Sequence, residues 1–145
     1  MKNNIKIKNL TIKDHDRILQ LWRDSGLPHR PDGIDSKESM KKQMREDPEF
    51  FLGAFDGARL VGTVIASFDG RRGWINKLAV HPDYRRRGIG KSLVEAAEKV
   101  LREKGATAIC SFIKKDNKPS LNLFKKCGFK PLEAVCVRKK YEISY

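Results

Sequence analysis

The chain has 145 residues, 39% of them hydrophobic and 34% charged, and a formal net charge of +13. That length suits one domain with a sizeable core, and no stretch nears the ~20 apolar residues of a membrane span. Cys110, Cys127 and Cys136 are odd in number and lack C-x-x-C spacing, so neither a disulfide framework nor a zinc site is expected.

With no apolar run of signal-peptide length at its start, the chain reads as one cytoplasmic domain over residues 1–145 without a metal. The charge is uneven. Residues 1–70 hold 12 Lys+Arg against 11 Asp+Glu, whereas residues 71–145 hold 19 against 7. An anionic partner for the second half follows, though the field alone does not name it.

Alternation in IKIKNL predicts a strand over residues 5–10. Ile18, Leu21 and Trp22 share one helical face, with Gly26 as a stop. A Pro- and Gly-punctuated loop follows at LPHRPDGID, and Ser36 can cap a second helix through about Arg45. FFLGAF and RLVGTVIASF flank Asp56-Gly57, a hairpin signal, and RRGWINKLAV reads as the next strand. After Gly88 the period becomes helical through Ile89, Leu93, Ala97, Val100 and Leu101. ATAICSFI reads as a buried strand, KPSLNLFKKC as a short helix, and residues 128–145 as one or two terminal strands. The order β-αα-βββ-α-β-α-β(β) is a mixed α/β fold with a strand–loop–helix unit at its centre.

That unit is HPDYRRRGIGKS. The first N–H groups of a helix lack intrahelical partners and lie at the positive end of its dipole, so a phosphate binds well there. Gly88 and Gly90 would admit a pyrophosphate close to the backbone, with Arg85, Arg86, Arg87, Lys91 and Ser92 adding contacts. The Walker and dinucleotide glycine patterns do not match, since residue 85 is arginine and residue 93 leucine. Taken alone, the segment fits a phosphate cradle or a helix start with solvated arginines.

A second segment, NKPSLNLFKKCGF at 117–129, stands some way on. Together the two resemble the GCN5-related N-acetyltransferase superfamily. Leu78-Ala79-Val80 before Arg85-Arg86-Arg87-Gly88-Ile89-Gly90 resembles its first signature. Asn117, Ser120, Leu123, Lys126, Gly128 and Phe129 resemble its second. The resemblance implies an acyl-CoA N-acyltransferase fold and acetyl transfer from acetyl-CoA to a primary amine, on a small molecule or a protein. It implies that the backbone of Leu78, Ala79 and Val80 pairs with the pantetheine arm, and that Arg86 to Lys91 hold the pyrophosphate. Asn117 would bond the pantetheine, with Ser120 nearby and Phe124 beside them. Members of the family often form homodimers.

The chain departs from the family at the acid/base positions. Phe124 occupies the place of a Tyr acid, Phe112 that of a Glu base in one branch, and Asn76 stands near a Glu of others. Core packing is the plain reading of both phenylalanines. Replacement acids are Tyr141, Tyr145, Tyr84 and Cys127, and His81 reads as a turn residue. For the acceptor, Asp32 and Asp35 could receive an amine's charge, whereas Arg30, Arg138, Lys139 and Lys140 favour an acidic portion. The missing acids keep a non-catalytic acyl-CoA-binding module open. The basic half raises nucleic acid, which the lack of interleaved aromatics disfavours.

Overall fold

A computed structural model describes residues 4–141. Strands β1 (Ile5–Asn9), β2 (Phe51–Asp56), β3 (Arg59–Phe68), β4 (Arg72–Val80) and β5 (Ala108–Cys110) form one sheet in sequence order. The first four are antiparallel neighbours, and β5 lies parallel to β4. Helices α1 (His15–Ser25), α2 (Lys37–Glu46), α3 (Ile89–Glu103) and α4 (Lys118–Lys126) complete the fold.

Local chemistry sets the boundaries. Gly26 ends α1 in the left-handed region at φ 74°, a conformation cheap only for glycine. Ser36 opens α2, its hydroxyl accepting the Ser39 N–H at 3.2 Å. Apolar stripes then seat the helices on opposite faces of the sheet. From α1, fully buried Trp22 reaches Thr63 of β3. From α3, Leu93 and Ile89 cover Gly62 so closely that an added Cβ would meet them at 2.9 and 3.3 Å.

The sheet carries a β-bulge. Register shifts between Thr63 and Ile65, so that Ile65 faces Asn76 while Thr63 faces Ala79. Gly73 before the bulge and Val80 after it both point at α3, against Leu101 and Gly90 respectively. An odd- and an even-numbered residue thus share one face, which an unbroken strand forbids.

The order and type of the elements agree with expectation from β1 through α4, and three details differ. The strand expected over residues 106–113 is only three residues long, and none of it is fully buried. It pairs with β4 at Arg72–Trp74 alone, so the ladder has nothing to extend it. Phe112 therefore lies beyond the strand, 67% exposed, with its ring 4.9 Å from that of Trp74. The core-packing reading fails for Phe112 and holds for Phe124, which is 5% exposed and packs edge-on against Phe129. Finally, residues 130–141 form no strand and are all exposed, because no sheet edge runs alongside them. Tyr145 lies outside the described residues.

Candidate active site

Two parallel strands part company at the centre of the molecule. β4 and β5 pair at Arg72–Ala108, Gly73–Ile109 and Trp74–Cys110, and no ladder pairing continues beyond. The Ser111 hydroxyl donates to the Ile75 carbonyl at 2.7 Å, closing the fork. From there to Val80, the outer edge of β4 has no strand beside it among the described residues. Backbone donors and acceptors along an open edge suit an extended ligand that adds itself as a strand. Leu78, Ala79 and Val80 lie on that edge.

At the end of β4 the chain turns through a 3-10 segment, Pro82–Tyr84, and enters α3. His81 caps the turn, its Nδ1 accepting the Asp83 N–H at 3.1 Å. Gly88 is the N-cap of α3 at φ 79°, with no side chain bonded to the first turn and no acidic residue in it. The amides of Ile89, Gly90 and Lys91 thus have no intrahelical or capping partner. Nothing lies within 4 Å of where a Gly88 Cβ would stand. Arg86, at φ 64°, is one of two non-glycine residues in the left-handed region among the described residues, the kind of strain that collects at functional sites.

The two glycines serve different ends. A Cβ on Gly90 would stand 2.9 Å from Leu123 Cδ2 and 3.8 Å from Val80 Cγ2. Gly90 therefore lets α4 close against the start of α3. It also brings the end of β4, the start of α3 and the middle of α4 to one point. The two sequence signatures converge there. Asn117 caps α4 by accepting the Ser120 N–H at 3.3 Å, and its Nδ2 makes no hydrogen bond among the described residues.

The basic side chains divide. Arg85 Nη2 reaches the Ser25 carbonyl at 3.5 Å. Arg87 donates to the Asp83 carbonyl at 3.2 Å and lies 4.7 Å over the Tyr84 ring. The Ser92 hydroxyl donates to Gly88 O at 3.1 Å. Arg86 is exposed and makes no hydrogen bond among the described residues.

The candidate acids are scattered. Tyr84 donates to Asp56 Oδ2 at 2.6 Å, and that hydrogen bond raises its phenol above the ordinary value. Its proton is thus held toward β2, on the far side of β4 from the fork. Tyr141 is 74% exposed, with Lys139 Nζ over its ring at 5.7 Å. Burial, with Glu98 and Glu95, pushes the Cys127 thiol up.

Around the loop between α1 and α2, residues 27–36, the structure presents a residue that sequence reasoning missed. Lys77 sits in the bulge at φ 51°. Its Nζ donates to the Pro28 carbonyl at 2.8 Å and lies 3.6 Å from Asp35 Oδ2 and 5.2 Å from the Trp22 ring centroid. Asp35 is only 5% exposed, and its Oδ2 also accepts the Arg30 N–H at 2.8 Å. Arg30 and Asp32 are exposed. The available signal was Asn76-Lys77, two successive polar residues that break the alternation of a strand.

Residues 15–129 match the acetyltransferase (GNAT) family. The chain belongs to that family. An acetyltransferase of Pectobacterium atrosepticum is 30% identical over 127 residues, spanning 88% of this chain and 89% of its own. One of Sodalis glossinidius is 31% identical over 127 residues, spanning 88% of each. Solved structures share the GNAT fold. The PaiA N-acetyltransferase of Thermoplasma acidophilum, in complex with coenzyme A, superposes at a TM-score of 0.80 with 24% identity, covering 91% of this chain and 93% of that one. AAC(6')-Iy, in complex with a bisubstrate analog, gives 0.79 with 20% identity, covering 95% and 99%. Among the described residues no helix is long and apolar enough to cross a membrane, and no three His, Cys, Asp or Glu gather as a metal site would need.

Proposed function

We propose that this GNAT chain is one N-acetyltransferase domain over residues 1–145, working in the cytoplasm and moving acetyl from acetyl-CoA to a primary amine without a metal. The observation that carries the reading is the convergence of Val80, Gly90 and Leu123. It sets an open strand edge beside an uncapped helix N-terminus. Those two features match the two ends of one ligand, an extended amide-containing arm and a pyrophosphate. When bound, acetyl-CoA supplies an acetyl group activated as a thioester.

The chain's own residues then have separable tasks. The edge from Leu78 to Val80 pairs with the pantetheine amides and fixes the thioester at the fork. The amides of Ile89 to Lys91, with Arg86, neutralise the pyrophosphate. Asn117 Nδ2 donates to the pantetheine, with Ser120 nearby, and Phe124 closes the wall behind it. Backbone N–H groups in the bulge polarise the thioester carbonyl.

No carboxylate takes the amine's proton in this account, so it passes to solvent. Of the described tyrosines proposed as acids, Tyr141 is the one with no hydrogen bond among the described residues, whereas Tyr84 is held by Asp56. Tyr141 is the side chain to supply the thiolate's proton. Replacing it with Phe lowers kcat without changing acetyl-CoA affinity if it does so, and leaves both unchanged if water suffices.

The direct test is thiol release from acetyl-CoA over a panel of primary amines, small molecules and peptides. Amine-dependent release supports the reading. Tight CoA binding with no release on any amine favours a non-catalytic CoA-binding module instead. Phe124, buried where the family resemblance puts a tyrosine acid, is the observation behind that second reading.

A further inference from the structure

We propose that Tyr84 is a positioning residue for the cofactor: anchored on Asp56 at the end of β2 and carrying Arg87 over its ring, it holds the turn between β4 and α3 in the shape that presents the start of α3 to a pyrophosphate. This rests on the acetyltransferase reading above and adds the residue that readies its phosphate site.

The turn needs holding. Arg86 at φ 64° and Gly88 at φ 79° both lie in the left-handed region, one on each side of Arg87. Such a backbone persists at a non-glycine residue only where its surroundings over-determine it. No side chain bonds to the first turn of α3, so the restraint has to come from other contacts. Arg87 supplies them. Its Nη2 donates to the Asp83 carbonyl at 3.2 Å, and its guanidinium lies 4.7 Å from the Tyr84 ring centroid. A guanidinium over a tyrosine face is attracted by the ring's quadrupole. Arg59 of β3 lies over the same ring at 5.2 Å.

Tyr84 is in turn fixed to the sheet. Its ring is buried, and its hydroxyl donates to Asp56 Oδ2 at 2.6 Å. Asp56 ends β2 and stands opposite Arg59 in the β2–β3 ladder. A hydrogen bond to a carboxylate is shorter and stronger than one between neutral groups. The turn's own backbone adds two bonds, from the Tyr84 N–H to His81 O at 2.8 Å and from the Asp83 N–H to His81 Nδ1 at 3.1 Å. A continuous path of contacts thus runs from β2 through Asp56, Tyr84 and Arg87 to the residue beside the Gly88 cap. Its effect falls on cofactor binding, because a site already in shape spares the ligand the cost of ordering it.

The test measures CoA binding to the full-length protein by calorimetry, at a temperature where each variant is folded. Y84F removes only the hydroxyl, D56A removes its acceptor, and D56N keeps an oxygen that can accept. Y84F and D56A should each weaken CoA about fivefold or more, and Y84F/D56A no further than either alone. D56N should restore most of the affinity that D56A loses. With an amine that serves as acceptor, Y84F should raise KM for acetyl-CoA and leave kcat at saturation unchanged. Should Y84F not fold, D56A and D56N carry the same comparison. A lower Tm with unchanged CoA affinity in Y84F and D56A would mean that the bond only stabilises the fold, and overturns the proposal. A fall in kcat at saturating acetyl-CoA also overturns it, since Tyr84 would then act on the chemistry. Either result leaves the acetyltransferase reading standing. Failure of the parent to bind CoA overturns that reading, and this one with it.

Discussion

Lys77 Nζ lies 3.6 Å from Asp35 Oδ2 and 2.8 Å from Pro28 O, joining the bulge of β4 to both ends of the loop between α1 and α2. A lysine in the left-handed region is tolerated because the same bulge turns its side chain toward α1. K77M leaves the buried Asp35 carboxylate with the Arg30 N–H but no cation, and gives the exposed Pro28 carbonyl over to water, and should cost about 1–3 kcal/mol. Combining it with D35N should recover part of that loss, since neighbours in one network couple. Amide exchange should quicken over residues 27–36 and stay unchanged in β1 and β2. Equal quickening everywhere would mean the pair stabilises the whole fold and does not hold the loop.

Thr63, wholly buried, accepts the Trp22 indole N–H at 2.9 Å and donates to Lys77 O at 3.0 Å. T63V keeps the shape and orphans both partners, for an expected loss of about 2–4 kcal/mol. T63S should retain most of the stability. Denaturant unfolding of the two variants checks this directly.

Gly88 and Gly90 should respond differently to alanine. G88A places a Cβ at φ 79° in open space, so its cost is backbone strain of about 1–2 kcal/mol and no second substitution relieves it. G90A meets Leu123 Cδ2 at 2.9 Å, the end of a movable side chain, for an expected cost of about 1 kcal/mol. L123A should make G90A nearly neutral. A double-mutant cycle over these variants distinguishes strain from packing.

Much of this was legible in the sequence, for a physical reason. Elements up to α4 carry a period, a cap or a turn dipeptide, all local signals such as Gly26, Ser36 and Asp56-Gly57. What escaped was set by pairing at a distance. Strength of alternation cannot tell that β5 stops at Cys110, nor that residues 130–141 find no edge, because both depend on a neighbouring strand. Phe112 was misplaced for that reason. In the candidate site, the uncapped helix start after Gly88 was readable because glycine conformation and capping are local to the turn. Lys77 was hidden because its task arises only when the bulge faces the loop. Even Gly90, whose motif was plain, is explained by Leu123 of another helix.

Acid stability should carry the signature of Glu49. Lys104 Nζ donates to its carboxylate at 2.6 Å, holding the carboxyl below its ordinary 4.5. A lowered folded value means this contribution is fully present above about pH 4.5 and lost as pH falls through the folded value. For Lys104, raised above its ordinary 10.5 by the same pair, the loss comes at the alkaline end as pH rises through its folded value. Lys104 is exposed and Glu49 partly so, and solvent screens the pair, so the effect is small. In E49Q the fall in Tm below pH 4.5 should be slightly shallower than in the parent.

The most direct measurement is amide hydrogen exchange, residue by residue, with and without saturating acetyl-CoA. Slower exchange at Leu78–Val80 and at Ile89–Lys91, with β1 and β2 unchanged, is the expected result. At 100 times its Kd the ligand should also add about 2.7 kcal/mol to the folded state. In R86A the footprint should persist but require more ligand. Protection absent from both segments at saturation, or confined to another surface, would contradict the claim that the β4 edge and the start of α3 form one cofactor cradle.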